Sequence, residues 1–563
     1  MGTISDKLMR IINTKEDIRQ ALISKGYDVP TSIPFKEYAK MILDLPCNAD
    51  PFPDIEGIVA RYSASGLTNE QMAANPVWVD KTGNGHDIQL KNFSWKGMSG
   101  VGGYGDENHQ TFYKFTLDDY VFIATPPGVK HMNFTFRVTG LQPGNKLTLA
   151  FFGTTNTVYG TWDKDGIYTV NSAVVEVGKP VYFYNGYGAT RGEFTIEILP
   201  LYPGALVFDG VDDWAGCDNL PLLPKEKGYS IIALRNWITR YDATQYKRPL
   251  ISNLDTNDGG AFLIEYRKDE NVNDVTGSYN SFTDVYIDDN NPITWQTSSS
   301  YNGQIIKKGT SKSTNKLCIC KTYFGQLSNY ANAAIWEIVI LDHDATEEEL
   351  TKIKDYFVKT YPWLFPDQAW TVTGKTNEDE DRATIANITG NGNDLVLSNF
   401  GFIEGSGYNK EGEYAGYLVT DGVDDKIVSS VFGMGKDFTI VGDWKFIDNK
   451  KSGTGLVKGS SFYIYNTMIG LDLYINSGSV RNSLDGIKSI NAACSDGRAY
   501  DRNWNEILAN TGNVVGSGGT LEVSSSGGRF DRIAFKNLAI YPRILSKDDC
   551  IKAYNYLQTL KSK

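Results

Sequence analysis

The sequence predicts an all-β protein made of two related sandwiches, and three observations predict it. Glycine (56) stands beside 33 Tyr, 26 Phe and 11 Trp, a mixture of turn formers and residues that fill pleated faces. Short apolar or aromatic runs recur between clusters of Gly, Asn, Asp and Ser. A set of motifs also occurs twice, which a single sandwich would not need. With 41% hydrophobic residues in 563, the chain can bury several cores. Its formal charge of −12 argues against a nucleic-acid partner, which calls for a basic surface.

The elements follow in order. Residues 1–45 read as a helical docking segment. Leu8, Ile11 and Ile12 recur at helical spacing; Thr14 reads as an N-cap before Ile18 and Leu22, and Gly26 as a stop. Phe35, Tyr38 and Ile42 mark a third short helix. Three narrow apolar stripes make no large core, so Leu8, Ile11, Ile12, Ile18, Leu22, Phe35, Tyr38 and Ile42 are expected to dock on a neighbouring copy or on another protein. Pro46, Pro51 and Pro53 mark a linker over 46–54. The start lacks the apolar core of a secretory signal, and no run approaches the ~18 apolar residues of a membrane span. Membrane insertion is therefore not expected.

The repeat begins after the linker. Thr82-Gly83-Asn84-Gly85-His86-Asp87 returns as Thr389-Gly390-Asn391-Gly392-Asn393-Asp394, and Leu206-Val207-Phe208-Asp209-Gly210-Val211-Asp212-Asp213 returns as Leu418-Val419-Thr420-Asp421-Gly422-Val423-Asp424-Asp425. The separation between copies shortens from the first motif to the second, so the first copy carries a segment the second lacks. That segment, 98–204, is strand-rich at Met132 to Val138, Lys146 to Phe152, Ala173 to Val177 and Glu193 to Ile198, and reads as an inserted small β-sandwich. The copies end alike. Ile335 to Leu341 leads to Thr346 and a helix with Leu350, Ile353 and Phe357 inward; Phe535 to Tyr541 leads to Ser546 and a helix with Cys550, Ala553, Tyr554 and Leu557 inward. The units are placed at 55–365 and 366–563.

A Thr-Gly-Asn-Gly turn, a Phe-Asp-Gly-Val-Asp-Asp segment, many strands and a last strand entering a capped helix together resemble the concanavalin A-like, laminin-G-type jelly roll. The resemblance implies two such jelly rolls, the first interrupted by the insert. That fold hosts lectins, glucanases, sialidase accessory domains and adhesion modules. Asp6-Lys7-Leu8, Thr14-Lys15 and Phe35-Lys36-Glu37-Tyr38-Ala39 resemble the helical head of structural proteins of tailed phages infecting gut Bacteroides-type hosts. This second resemblance implies a virion component, a head or tail fibre or decoration protein, made in the host cytoplasm.

Glucanases of the resembled fold carry Glu-x-Asp-x-x-Glu along one strand. The nearest run here, Glu337 to Asp342, has apolar residues between its acids, and its second copy, Asn537 to Pro542, keeps neither. No catalytic residue and no enzymatic activity is expected. Asp209, Asp212 and Asp213, with Asp421, Asp424 and Asp425, offer hard oxygens for Ca²⁺, as some laminin-G-type modules do. Their presence in both copies suits better a tight Asp-Gly turn whose carboxylates satisfy turn amides. No other cofactor is expected. Aromatic–amide pairs such as Tyr279-Asn280, Trp295-Gln296, Tyr301-Asn302 and Trp504-Asn505 could stack and hydrogen-bond sugars. Six scattered cysteines without metal spacing are expected to stay free in a reducing cytosol.

The resulting expectation is a non-enzymatic virion structural protein. Its N-terminal helices would bind other virion proteins, its jelly rolls would bind host-surface glycans, and copies would associate as a homo-oligomer. The alternative is a free or cell-surface lectin or adhesin. A glycoside hydrolase ranks last.

Overall fold

The computed structural model describes Lys15 and residues 51–562, apart from segments of which the longest include 105–111, 239–246, 268–279, 284–291, 322–329, 476–482 and 509–517. The chain divides into two compact units, Met1–Ile55 with Glu348–Tyr356, and Glu56–Glu347 with Phe357–Lys563. Leu8, Ile11, Ile12, Ile18, Leu22, Phe35, Tyr38 and Ile42 lie outside the described residues. In the described part of the smaller unit, Phe52 sets its ring edge-on to Tyr356 at 5.0 Å. Lys352 Nζ there pairs with Glu348 at 2.8 Å.

The larger unit is all-β with short helices at strand ends. Its first copy packs a six-stranded sheet against an eight-stranded one. In the former, Asn332–Leu341 pairs with Ile58–Ser63, Leu206–Asp209 and Ser230–Trp237. In the latter, Trp214–Cys217 runs between Ile88–Lys91 and Leu317–Ile319. One core joins them, with Tyr62, Trp78, Phe208, Ile251, Phe262 and Ile335 inside. The second copy repeats the plan. Ile533–Tyr541 pairs with Gln368–Thr371, Leu418–Val419 and Thr439–Phe446, facing a second eight-stranded sheet. Its core holds Trp370, Trp444, Ile427 and Phe535.

Both copies carry the same β-bulge. Leu234 and Arg235 pair with Glu337 and Ile335, skipping Trp336; Asp443 and Trp444 pair with Asn537 and Phe535, skipping Lys536. One extra residue reverses which face each later side chain takes. Ala333 and Ile335 before the bulge, and Ile338 and Ile340 after it, therefore enter the same core. The long strands are buried almost throughout, which is why they read as apolar runs and not as alternation.

The insert forms two four-stranded sheets, one ordered Gly166–Val174, His131–Thr139, Phe194–Ile198, Phe112–Phe115, the other Tyr120–Ile123, Val181–Asn185, Leu147–Phe152, Asn156–Trp162. Phe136, Tyr168 and Phe183 fill its core with Leu147 and Ile196. The start of the expected strand at Ala173 to Val177 is the tail of the longer Gly166–Val174, and residues 175–177 lie outside the described residues. The expectation followed only the apolar tail, whereas ladder pairing with His131–Thr139 begins at Gly166.

The helix Lys547–Leu557 is capped by Ser546, whose side chain accepts from Asp549 N–H, so the capping expected from sequence is present. Cys550, Ala553, Tyr554 and Leu557 are buried as expected. Asn555, a polar residue, is buried with them. Its Oδ1 accepts from Thr135 Oγ1 at 2.8 Å, and its Nδ2 donates to Pro200 O at 3.2 Å. Trp504 Nε1 donates to Thr169 Oγ1 at 3.3 Å, and Tyr556 meets Trp336 edge-on at 6.2 Å. The insert is thus fastened to the second copy by buried polar contacts, and the C-terminal helix touches all three sandwiches.

Candidate functional site

The acidic turns are the site that sequence and geometry share. The three carboxylates of each turn gather with ligand atoms within 4.8 Å of one another. In the first, Asp209 Oδ1 accepts from Val211 N at 2.8 Å, Asp212 N at 3.3 Å and Asp213 N at 3.4 Å, while Asp209 N donates to Asp213 Oδ2 at 3.1 Å. In the second, Asp421 Oδ1 accepts from Val423 N at 2.7 Å and Asp424 N at 3.4 Å, and Asp421 N donates to Asp425 Oδ2 at 2.8 Å. Gly210 and Gly422 take φ +76° and +74°, a region open to glycine without steric cost.

A second loop braces each turn. Asn92 Nδ2 donates to Asp212 O, and Asn399 Nδ2 to Asp424 O, both at 3.0 Å. These asparagines sit at φ 68° and 69°, which Asn tolerates better than most residues. Ser406 Oγ reaches Asp425 Oδ1 at 3.1 Å, and its partner Ser99 lies beside Asp213.

Electrostatics set the inner acid apart. Burial, reinforced by Asp209, pushes the Asp213 carboxyl up to about 7; burial, with a smaller push from Asp421 and Asp424, takes Asp425 to about 6. The outer acids Asp212 and Asp424 are exposed, next to tip valines that are 72% (Val211) and 67% (Val423) exposed.

The three carboxylates of each turn lie close enough to share a cation, which would need 6–8 oxygens in all, while two of the three also serve backbone amides. Those amide bonds account for the placement of Asp209, Asp213, Asp421 and Asp425 without an ion. The Thr-Gly-Asn-Gly segments are likewise turns: Asn84 Nδ2 donates to Val59 O at 2.9 Å and Asn391 Nδ2 to Asp367 O at 2.7 Å.

Other residues of interest take different roles. Glu337 is fully buried, its Oε2 3.2 Å from Arg61 Nε and its Oε1 accepting from Tyr361 OH at 2.9 Å. Trp504 is 1% exposed and buried against the insert, so it offers no sugar platform, and Asn505 folds back on Asp501 at 2.9 Å. The side chains of Trp295 and Gln296, and Tyr279, Tyr301 and Asn302, lie outside the described residues. Sequence reasoning missed Lys536, which stands at the skipped bulge position. Burial pushes its amine below the usual lysine range, Asp443 opposing this, and it lies 5.8 Å from the Tyr417 ring. Tyr417 OH donates to Asp443 Oδ2 at 2.9 Å. A lysine inside an apolar run was the available signal.

No family model matches the chain, and no curated protein matches it. Solved structures do. A Trypanosoma rangeli sialidase mutant displaying trans-sialidase activity aligns at 11% identity and TM-score 0.24, over 51% of this chain and 55% of its own, so the chain spans about half of that relative's length. The T. rangeli sialidase in complex with sialic acid aligns at 8% and 0.23, over 80% and 82%. A structure of botulinum neurotoxin type C, whose cell entry is dependent upon interaction with two ganglioside molecules, aligns at 10% and 0.22, over 62% and 87%. These similarities correct one expectation: with sialidases, which are glycoside hydrolases, among the similar structures, the exclusion of an enzyme is withdrawn. At these scores no residue role and no reaction transfers to this chain.

Proposed function

We propose that this chain is a surface component of a tailed-phage virion, a head or tail fibre or decoration protein, whose two repeated sandwiches bind host-surface glycans. The observation that carries the reading is the duplicated display. Both copies hold the same turn outward by the same hydrogen bonds, each with an exposed carboxylate beside an exposed valine. Sugars offer hydroxyl donors around an apolar face, which Asp212 with Val211 and Asp424 with Val423 complement. Two weak sites on one frame gain avidity, and association of several copies multiplies it. The phage-like motifs between Asp6 and Ala39 support a virion mount.

Two experiments test this. Mass spectrometry of purified particles from the source should find the chain in stoichiometric amount, and deletion of residues 1–45 should abolish incorporation. On a glycan array the full chain should bind a surface glycan, and the paired substitution Asp212→Ala with Asp424→Ala should lose far more signal than either alone. A chain present only in the secreted fraction favours the lectin or adhesin. An array blank for the intact protein sinks the glycan half.

A further inference from the structure

Trp95 lies on the loop that braces the first acidic turn, just after Asn92, and its backbone takes the left-handed φ of 58°. That region costs a bulky side chain steric energy and costs glycine nothing. A tight turn follows, in which Lys96 and Ser99 exchange both backbone hydrogen bonds at 2.9 Å. Gly100 passes so close that a Cβ on it would lie 3.1 Å from Trp95 Cα. The second copy has the same turn between Ile403 and Ser406, and again an aromatic, Phe402 at φ 50°, where glycine would rest without strain. Strain kept around an aromatic side chain in both copies points to a use for that side chain.

The Trp95 ring is carried outward from the core. Phe93 meets the buried Phe208 edge-on at 5.0 Å and stacks on Trp95 at 4.9 Å, with planes 17° apart. Trp95 itself is half-buried, packed on the core along one side. Among the described residues nothing accepts from its indole N–H, whereas the buried Trp78 and Trp336 both donate theirs to backbone carbonyls at 2.9 Å. Asn92, on the same loop, holds Asp212 O at 3.0 Å, so an accessible ring and a free donor stand on the brace of the exposed Val211 and Asp212. The second copy differs. Arg382 Cζ lies 5.1 Å over the Phe402 ring, and phenylalanine has no N–H to offer.

We propose that Trp95 is the residue on which the first copy stacks a pyranose ring of its glycan, so that the two copies bind unequally, the first ahead of the second. This rests on the glycan reading above and names the side chain that reading lacked. A pyranose turns C–H groups to one face and hydroxyls to its rim. The indole offers a wide apolar surface for the former and an N–H donor for the latter, while the Asp212 carboxylate accepts from a further hydroxyl. A backbone strained to present such a ring gives up stability for binding. Packing alone would explain neither the unpaired N–H nor an aromatic where glycine fits best.

The full chain is exposed to hydroxyl radicals, digested and mapped by mass, alone and saturated with the array glycan that gives its strongest signal. Oxygen gain at Trp95 should fall several-fold on binding. Trp95→Gly keeps the turn, since glycine adopts φ 58° freely, and its affinity for that glycan should drop about tenfold. Trp95→Phe should recover part of the loss through its ring. Asp212→Ala alone should lose more signal than Asp424→Ala alone. Equal oxidation of Trp95 with and without bound glycan would overturn the proposal, as would parental affinity in Trp95→Gly or equal losses from the two aspartate substitutions. Footprinting of the unsubstituted chain decides this even where a variant folds poorly. Each of those failures leaves glycan binding itself standing, whereas a blank array for the intact chain sinks both.

Discussion

The two copies solve one buried position differently, and this makes a quantitative test. In the first, Arg61 Nε and Glu337 Oε2 meet at 3.2 Å with side chains 6% and 0% exposed. In the second, Ala369 and Asn537 take the corresponding places in the ladder, and Asn537 Oδ1 accepts from Asp443 N at 3.0 Å. Removing one member of a buried ion pair takes away a counter-charge from the other, costing about 3–5 kcal/mol. Arg61→Ala and Glu337→Asn should each weaken the first sandwich by that amount. The double substitution reproduces the second copy's neutral arrangement, so it should cost at least ~2 kcal/mol less than the sum of the singles. Hydrogen exchange read on Ile58–Ser63 and Asn332–Leu341 measures the loss, with Gln368–Thr371 and Ile533–Tyr541 as the internal reference. At 1.4 kcal/mol per tenfold, protection should fall by roughly 10²- to 10³-fold in each single variant. Strictly additive losses, or singles costing under ~1 kcal/mol, would refute the reasoning.

The remaining predictions use the same scaffold. Asn399→Ala should destabilise the second copy by about 1–2 kcal/mol through the lost bond to Asp424 O and the φ of 69°, and Asn399→Gly by less, since glycine adopts that φ freely; denaturation midpoints of the two variants check the order. Asp213 binds its proton more tightly folded (about 7) than unfolded (about 3.9). The folded state therefore holds more protons between those values, and the stability from this group, full below pH ~4, is lost as pH rises to ~7. Asp213→Asn should flatten the melting profile of the first sandwich across that window, and millimolar Ca²⁺ should leave the profile unchanged; a steep calcium response would restore the metal reading. Asn555→Ala leaves Thr135 Oγ1 and Pro200 O without their partner on the helix. It should expose the insert to limited proteolysis at doses that spare the parent, at a cost of about 1–3 kcal/mol.

Much of the fold was legible because strand chemistry is local. Runs such as Ile335 to Leu341 and caps such as Ser546 declare themselves through neighbours in sequence, and the doubled Asp-Gly-Val-Asp-Asp exposed the repeat. The acidic turns were legible for the same reason, since Asp209 and Asp213 bond within their own five residues. Trp504 was misread as a candidate sugar contact because nothing near it in sequence announces Thr169. Glu337 was weighed only against a glucanase run, because its counter-charge, Arg61, lies across the sheet. The exclusion of an enzyme rested on a missing motif, and absence of one pattern is weak ground against a fold that hosts many chemistries.

By itself, then, the chain dictated which segments are strands, which turns recur and that two copies exist, because apolar periodicity and turn chemistry act over a few residues. Only the tertiary structure decided that the bulges skip Trp336 and Lys536 and that Asn555 ties the insert to the last helix. Each of these depends on which distant segments lie side by side, and a pairing between residues from about ninety to several hundred positions apart leaves no periodic trace in either partner.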